Sequence, residues 1–212
     1  IDYNVYNPET DDKIFQKYTI KNFEIKKAEN KLKLQEELGL PQDKNKFMIA
    51  IISRLTDQKG LDLVNNMIEH TQFVVLGTGE AKYENTFKHF QWKYPDRVSA
   101  NIYFSDERAH RIYAAADAML VPSRFEPCGL TQLIALRYGT IPIVRETGGL
   151  KDTVVPYNEF ENYGTGFSFT NYNANDMLNV INYAKSVYFN YRENWNQIIK
   201  RGMETDFSWG SS

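Results

Sequence analysis

Residues 123–150, SRFEPCGLTQLIALRYGTIPIVRETGGL, read as loop, helix, strand and loop, and the rest of the chain reads as a frame around them. Just ahead of them Ala118, Met119, Leu120 and Val121 form an apolar run closed by Pro122, the pattern of a buried strand whose ladder cannot continue. Glu126 therefore sits just beyond a strand end. Gly129 removes side-chain bulk where a helix is about to begin, and Leu130, Leu133 and Ile134 follow at the spacing of one helical face. The first N–H groups of that helix would point out of the strand-end crevice with partial positive charge and unpaired donors, a natural seat for phosphate. A carboxylate close to such a seat does not suit phosphate. It suits hydroxyls on whatever the phosphate carries.

Outward from this stretch, strand and helix alternate. Strands are predicted over 47–52, 73–76, 102–104, 118–121, 141–144 and 167–169, with helices over 28–38, 61–69, from Gly79 to Trp92, 107–116, 130–138 and within 148–155. Helices at 176–191 and 195–203 close the chain. The alternation predicts an α/β, Rossmann-like domain, mainly a parallel sheet with right-handed crossovers and helices on both faces. Residues 1–28 read as a linker segment, 29–175 as the Rossmann-like domain and 176–212 as C-terminal helices. In such a sheet, ligands bind outside the carboxyl ends of the strands, where strand order reverses. Arg54 and Lys59 follow the first strand, Gly77 to Gly79 the second, Phe104 ends the third, Glu126 to Thr131 follow the fourth, and Thr147 to Leu150 the fifth. All fall on one rim.

At 212 residues the chain can bury a real core, and 25 Lys and Arg against 27 Asp and Glu give no reason to propose nucleic acid as a partner. A single cysteine, Cys128, excludes an internal disulfide, and no apolar run approaches the length of a membrane span. A cytoplasmic protein is expected, with no membrane partner. The polar, turn-rich start IDYNVYNPETD reads as a segment following something else, so a fragment is expected. GTGEAK at Gly77 starts like a dinucleotide fingerprint but lacks its third glycine, and a tight strand-to-helix turn is the better reading. No Walker-type loop and no Asp-x-Asp pair for a metal is found, and His70, His89 and His110 are too scattered for zinc; each is read as a surface or helix-end residue. Arg54 and Lys59 could neutralise a diphosphate without a metal. Glu126 could equally be a helix-start carboxylate favoured by the dipole, and Cys128 has no base nearby to make it a nucleophile. These features alone give a nucleotide- or phosphosugar-binding α/β domain.

SRLTDQKGLDL, LGTGE, PSRFEPCGLTQLIALRYGTIPIVRETGGLKDTV, GTGF and DFSW occur in one order, and in this the chain closely resembles bacterial glycogen synthases and plant starch synthases over nearly its whole length. The resemblance implies the C-terminal, nucleotide-sugar-binding half of a two-domain GT-B glycosyltransferase, with the N-terminal acceptor-binding domain outside this chain. It implies retaining transfer of glucose from ADP-glucose to the non-reducing end of an α-1,4-glucan, with no cofactor and no metal, and an isolated domain that is inactive. Arg54 and Lys59 match the family's diphosphate-contacting cations and Glu126 its donor-sugar carboxylate. Cys128, Gly129, Leu130 and Thr131 match the turn that contacts glucose and phosphate. Gly77 belongs to the same donor site, and Phe104 occupies a place where relatives set an aromatic against adenine, without a hydroxyl here. Broader GT-B families carry a second glutamate where this chain has Ile134, a departure from any two-carboxylate mechanism. Two alternatives stay open: a GT-B transferase using another nucleotide sugar, and a non-catalytic nucleotide-binding module.

Overall fold

In the computed structural model, which describes residues 1–64, 71–126 and 129–207, the apolar runs become six strands of one sheet. They are β1 (Phe47–Ile52), β2 (Thr71–Leu76), β3 (Val98–Asn101), β4 (Ala118–Val121), β5 (Ile141–Arg145) and β6 (Phe167–Phe169). Every pairing is parallel, and the order is β3-β2-β1-β4-β5-β6. β1 lies at the centre and is buried along nearly its whole length, so FMIAII shows no polar alternation. From β1 the chain moves outward through β2 to β3, then returns to the other side of β1 and moves through β4 and β5 to β6. Right-handed crossovers taken in opposite directions put their helices on opposite faces. The sheet is the Rossmann-like one expected, and its order reverses between β1 and β4, where the carboxyl ends open a crevice.

The helices are α1 (Phe23–Leu38), α2 (Ala81–Lys93), α3 (Asp106–Ala115), α4 (Thr131–Arg137), α5 (Gly148–Thr153), α6 (Ala174–Asn190) and α7 (Arg192–Glu204). α3 has a side-chain cap, Ser105 Oγ accepting from the Arg108 amide at 3.1 Å, and Asp106 and Glu107 fill its first turn. None of the described helices is long and apolar enough to cross a membrane.

The strand expected over 102–104 is instead β3, ending at Asn101. Its polar residues are buried and satisfied: the Asn101 amide donates to the Val75 carbonyl at 3.1 Å and to Ser99 Oγ at 3.0 Å. The apolar run after it turns out onto the rim, where Phe104 is 88% exposed. Where a helix was expected over 61–69, Leu61–Leu63 is a 3₁₀ turn that follows another at Asp57–Lys59, and 65–69 lie outside the described residues. α1 starts five positions before the expected 28, because its inward face is polar: Lys27, Asn30, Lys31 and Gln35 are buried beside Phe23 and Leu34. Lys27 Nζ donates to the Ala114 carbonyl at 2.9 Å and the Tyr138 carbonyl at 3.2 Å, capping the C-terminal ends of α3 and α4.

His110 is not a surface residue. It is 1% exposed within α3, with Nδ1 2.6 Å from Asp11 Oδ2 and its ring stacked on Tyr6. Asp11 Oδ2 also accepts from the Tyr138 hydroxyl at 2.6 Å. Burial pushes the Asp11 carboxyl up, but hydrogen bonds from His110, Tyr138 and the Lys13 amide outweigh it and hold the group below the ordinary carboxylate value. Asp11 belongs to a segment, 1–22, without helix or strand that lies against the body of the domain: Ile1, Ile14 and Tyr18 are buried, and the Tyr18 hydroxyl donates to the Tyr138 carbonyl at 2.5 Å. His89 is exposed on α2, stacked with Trp92, and His70 lies outside the described residues.

Candidate active site

The crevice between β1 and β4 holds a cavity of 280 Å³, with Ser53 at the end of one strand, Ser123 just past the other, and Lys59, Glu126 and Gln132 in its walls. Its geometry depends on how the loop after β1 meets the loop after β4. Gly60 has φ +73, and a β-carbon there would lie 1.8 Å from the Pro122 carbonyl oxygen, so only glycine admits this approach. The Arg124 amide donates to the Gln58 carbonyl at 2.9 Å, and Gln58 Nε2 donates to the Phe125 carbonyl at 3.3 Å. Arg145, reaching over from β5, donates to the Arg124 carbonyl at 2.7 Å and braces the same loop.

Clamped in this way, Lys59 Nζ reaches Glu126 Oε2 at 2.7 Å, and Ser123 Oγ donates to the same oxygen at 3.2 Å. Glu126 is only 7% exposed, and its carbonyl accepts from the Gly149 amide at 2.9 Å, which ties it to the start of α5. Gly60→Ala is expected to lower stability by about 1 to 3 kcal/mol, since a side chain at positive φ meets backbone that cannot yield. Denaturant unfolding of the variant checks this. An unchanged midpoint would mean that the two loops do not need their close contact.

A second cavity of 360 Å³ adjoins the first through Ile52 and Ser53 and is lined by Arg54, Gly77, Thr78, Tyr103 and Phe104. The Arg54 side chain is exposed and makes no ion pair among the described residues. Tyr103 and Phe104 stand on the loop between β3 and α3, with the Tyr103 hydroxyl donating to Asn101 Oδ1 at 2.9 Å and Arg108 Nη1 donating to that oxygen at 3.0 Å.

Of the residues singled out in the sequence, Lys59, Glu126, Gly129, Leu130 and Thr131 line the first cavity, and Arg54, Gly77 and Phe104 the second. Cys128 lies outside the described residues. Sequence reasoning passed over Ser123, Tyr103 and Gln132. Tyr103, beside Phe104 on the rim, had a signal that placing the strand at 102–104 concealed. Together the walls offer acceptor oxygens for hydroxyls at Glu126, cationic side chains for an anion at Lys59 and Arg54, and flat apolar rings at Tyr103 and Phe104.

A family model described as glycosyl transferases group 1 matches residues 31–202. The chain is 64% identical over 217 aligned positions to the glycogen synthase of Lachnospira eligens, and 57% identical over the same length to that of Lachnoclostridium phytofermentans. Each alignment covers 100% of this chain and 45% of the relative, so the chain spans about half the length of the curated relatives it matches. Among solved structures, the catalytic domain of starch synthase IV from Arabidopsis thaliana bound to ADP and acarbose matches with a TM-score of 0.92 at 34% identity, over 99% of this chain and 45% of that one. With a reversed parallel sheet, paired rim cavities and a family model that matches most of its length, the chain belongs to the group 1 glycosyltransferases.

Proposed function

We propose that this chain supplies the donor half of a retaining hexosyltransferase of the glycogen and starch synthase type. The longer enzyme transfers glucose from ADP-glucose to the non-reducing end of an α-1,4-glucan, with the glucan held by its other half. The observation that carries this reading is the part-buried Lys59–Glu126 pair at the strand reversal, in the wall of one cavity that adjoins a second lined by Arg54 and the rings of Tyr103 and Phe104. In it, glucose donates hydroxyls to Glu126, the diphosphate lies across Lys59 and Arg54, and adenine lies against Phe104 and Tyr103. Gly77 and the turn at Cys128, Gly129, Leu130 and Thr131 complete the donor contacts.

The chemical step breaks the bond between the anomeric carbon and the diphosphate oxygen and forms one to the acceptor's 4-hydroxyl oxygen on the same face. The two electrons of the broken bond leave with ADP, and the acceptor's proton passes to the departing phosphate oxygen. Positive charge grows on the sugar ring while negative charge grows on the leaving group. A carboxylate beside the first and cations beside the second therefore stabilise the transition state more than the ground state. No cofactor or metal is required in this scheme. Two cations, Lys59 and Arg54, line the adjoining cavities where the diphosphate would lie.

The test is incorporation of glucose from ADP-glucose into an α-1,4-glucan. The longer enzyme is expected to elongate glucan with or without EDTA. The 212-residue chain alone is expected to show no elongation, because without the facing half the cleft cannot close and exclude water. Transfer by this chain alone would contradict the division of labour, and loss of activity on chelation would contradict the metal-free scheme.

A further inference from the structure

Gln132, the second residue of α4, is 1% exposed. Its Nε2 donates to the Gly129 carbonyl at 2.7 Å and to Thr153 Oγ1 at 3.2 Å, and Thr153 Oγ1 donates onward to the Gly149 carbonyl at 2.6 Å. A carbonyl only accepts, so the contact with Gly129 fixes which end of the amide is nitrogen. The other end has no such partner. Gln132 Oε1 is buried in the cavity wall without a hydrogen bond among the described residues.

Gly129 locates that oxygen. A β-carbon at position 129 would lie 2.7 Å from Gln132 Oε1, 3.0 Å from Glu126 Cγ and 3.3 Å from Glu126 Cδ, so the amide oxygen and the Glu126 side chain come together around Gly129 in the wall of one cavity. Both are acceptors, and a buried acceptor left without a donor costs stability. A ligand in the cavity that bonds to both must bring hydrogens. A diphosphate cannot, because at neutral pH it offers mainly acceptor oxygens. A hexose can, through neighbouring hydroxyls that each donate once.

We infer that Gln132 Oε1 accepts a hydroxyl of the donor hexose and, together with Glu126, makes the site select a sugar over the bare nucleotide. This rests on the donor-site reading above. A site built to bond a hydroxyl discriminates strongly against a ligand that lacks it, since the buried acceptor is then unpaired.

Calorimetric titration of the 212-residue chain with ADP and with ADP-glucose tests it, using Gln132→Met and Gln132→Glu shown to be folded by circular dichroism. Gln132→Met is expected to lose about tenfold in ADP-glucose affinity relative to ADP, while Gln132→Glu, which keeps an acceptor oxygen but loses the bond to Gly129, holds that ratio within about threefold. An unchanged ratio in Gln132→Met, or equal loss of the ratio in both variants, overturns the inference and makes Gln132 a brace for the loop. If the unaltered chain binds neither ligand, the donor-site reading fails and the inference with it; if it binds both and only the variants disagree, the inference alone fails. Should neither variant fold, monodeoxy-hexose analogues of ADP-glucose decide on the unaltered chain. Two acceptors require two different hydroxyls, so two analogues should each weaken by about tenfold; one or none overturns the inference.

Discussion

Glu126→Gln in the longer enzyme is expected to lower turnover with ADP-glucose at least about 100-fold, roughly 2.7 kcal/mol, while ADP affinity falls little or rises. The amide keeps the size of the side chain and one acceptor, so hydroxyl bonding is partly preserved. What it loses is the negative charge that the proposed scheme sets beside the anomeric carbon. Lys59, which lies 2.7 Å from the carboxylate, is then freed to serve the diphosphate alone. Turnover and ADP affinity measured on the same folded protein separate the roles. Near-normal turnover would reduce Glu126 to a structural carboxylate, and collapse of ADP affinity would mean that its main work is building the loop.

Lys59→Ala is expected to act on the other end of the breaking bond. Removing one charge-assisted contact to a leaving group is worth about 2 to 4 kcal/mol of transition-state stabilisation. The loss should appear in turnover more than in donor KM, because the cation matters most as charge develops on the departing phosphate. Part of the effect is indirect: Glu126 is nearly buried, and without Lys59 its charge has only the Ser123 hydroxyl as a side-chain partner among the described residues. A variant with unchanged turnover and only a raised donor KM would make Lys59 a residue of uniform binding.

The central strands and the rim were legible in the sequence because burial on both faces leaves a plain signature. FMIAII and AMLV are continuous apolar runs, and each ends where a cation or carboxylate appears within a few residues. The rest was concealed where polar residues do interior work. α1 buries Lys27, Asn30, Lys31 and Gln35, so its inward face carries no hydrophobic stripe. Lys31 is satisfied only in three dimensions, by Asp117 at 2.6 Å and the carbonyls of Lys44 and Lys46, none of which local pattern connects to it. His110 is hidden for the same reason, its partner Asp11 lying far off in the chain. β3 failed in the opposite sense, since its buried Ser99 and Asn101 look like a loop and the apolar run beyond them looks like a strand.

At the site, the residue types were legible but the pairings were not. Arg54 and Lys59 read alike in sequence, as two cations after one strand. The fold separates them, with Lys59 on Glu126 in one cavity and Arg54 open in the next. The contact that decides this is the approach of Gly60 to Pro122, which joins loops more than sixty residues apart.

The most direct test of the account is a calorimetric titration of this 212-residue chain with ADP-glucose, UDP-glucose and ADP, each with and without EDTA. The account predicts binding of ADP and ADP-glucose that survives the chelator, with UDP-glucose weaker. Failure to bind any of the three, or preference for UDP-glucose, would contradict it.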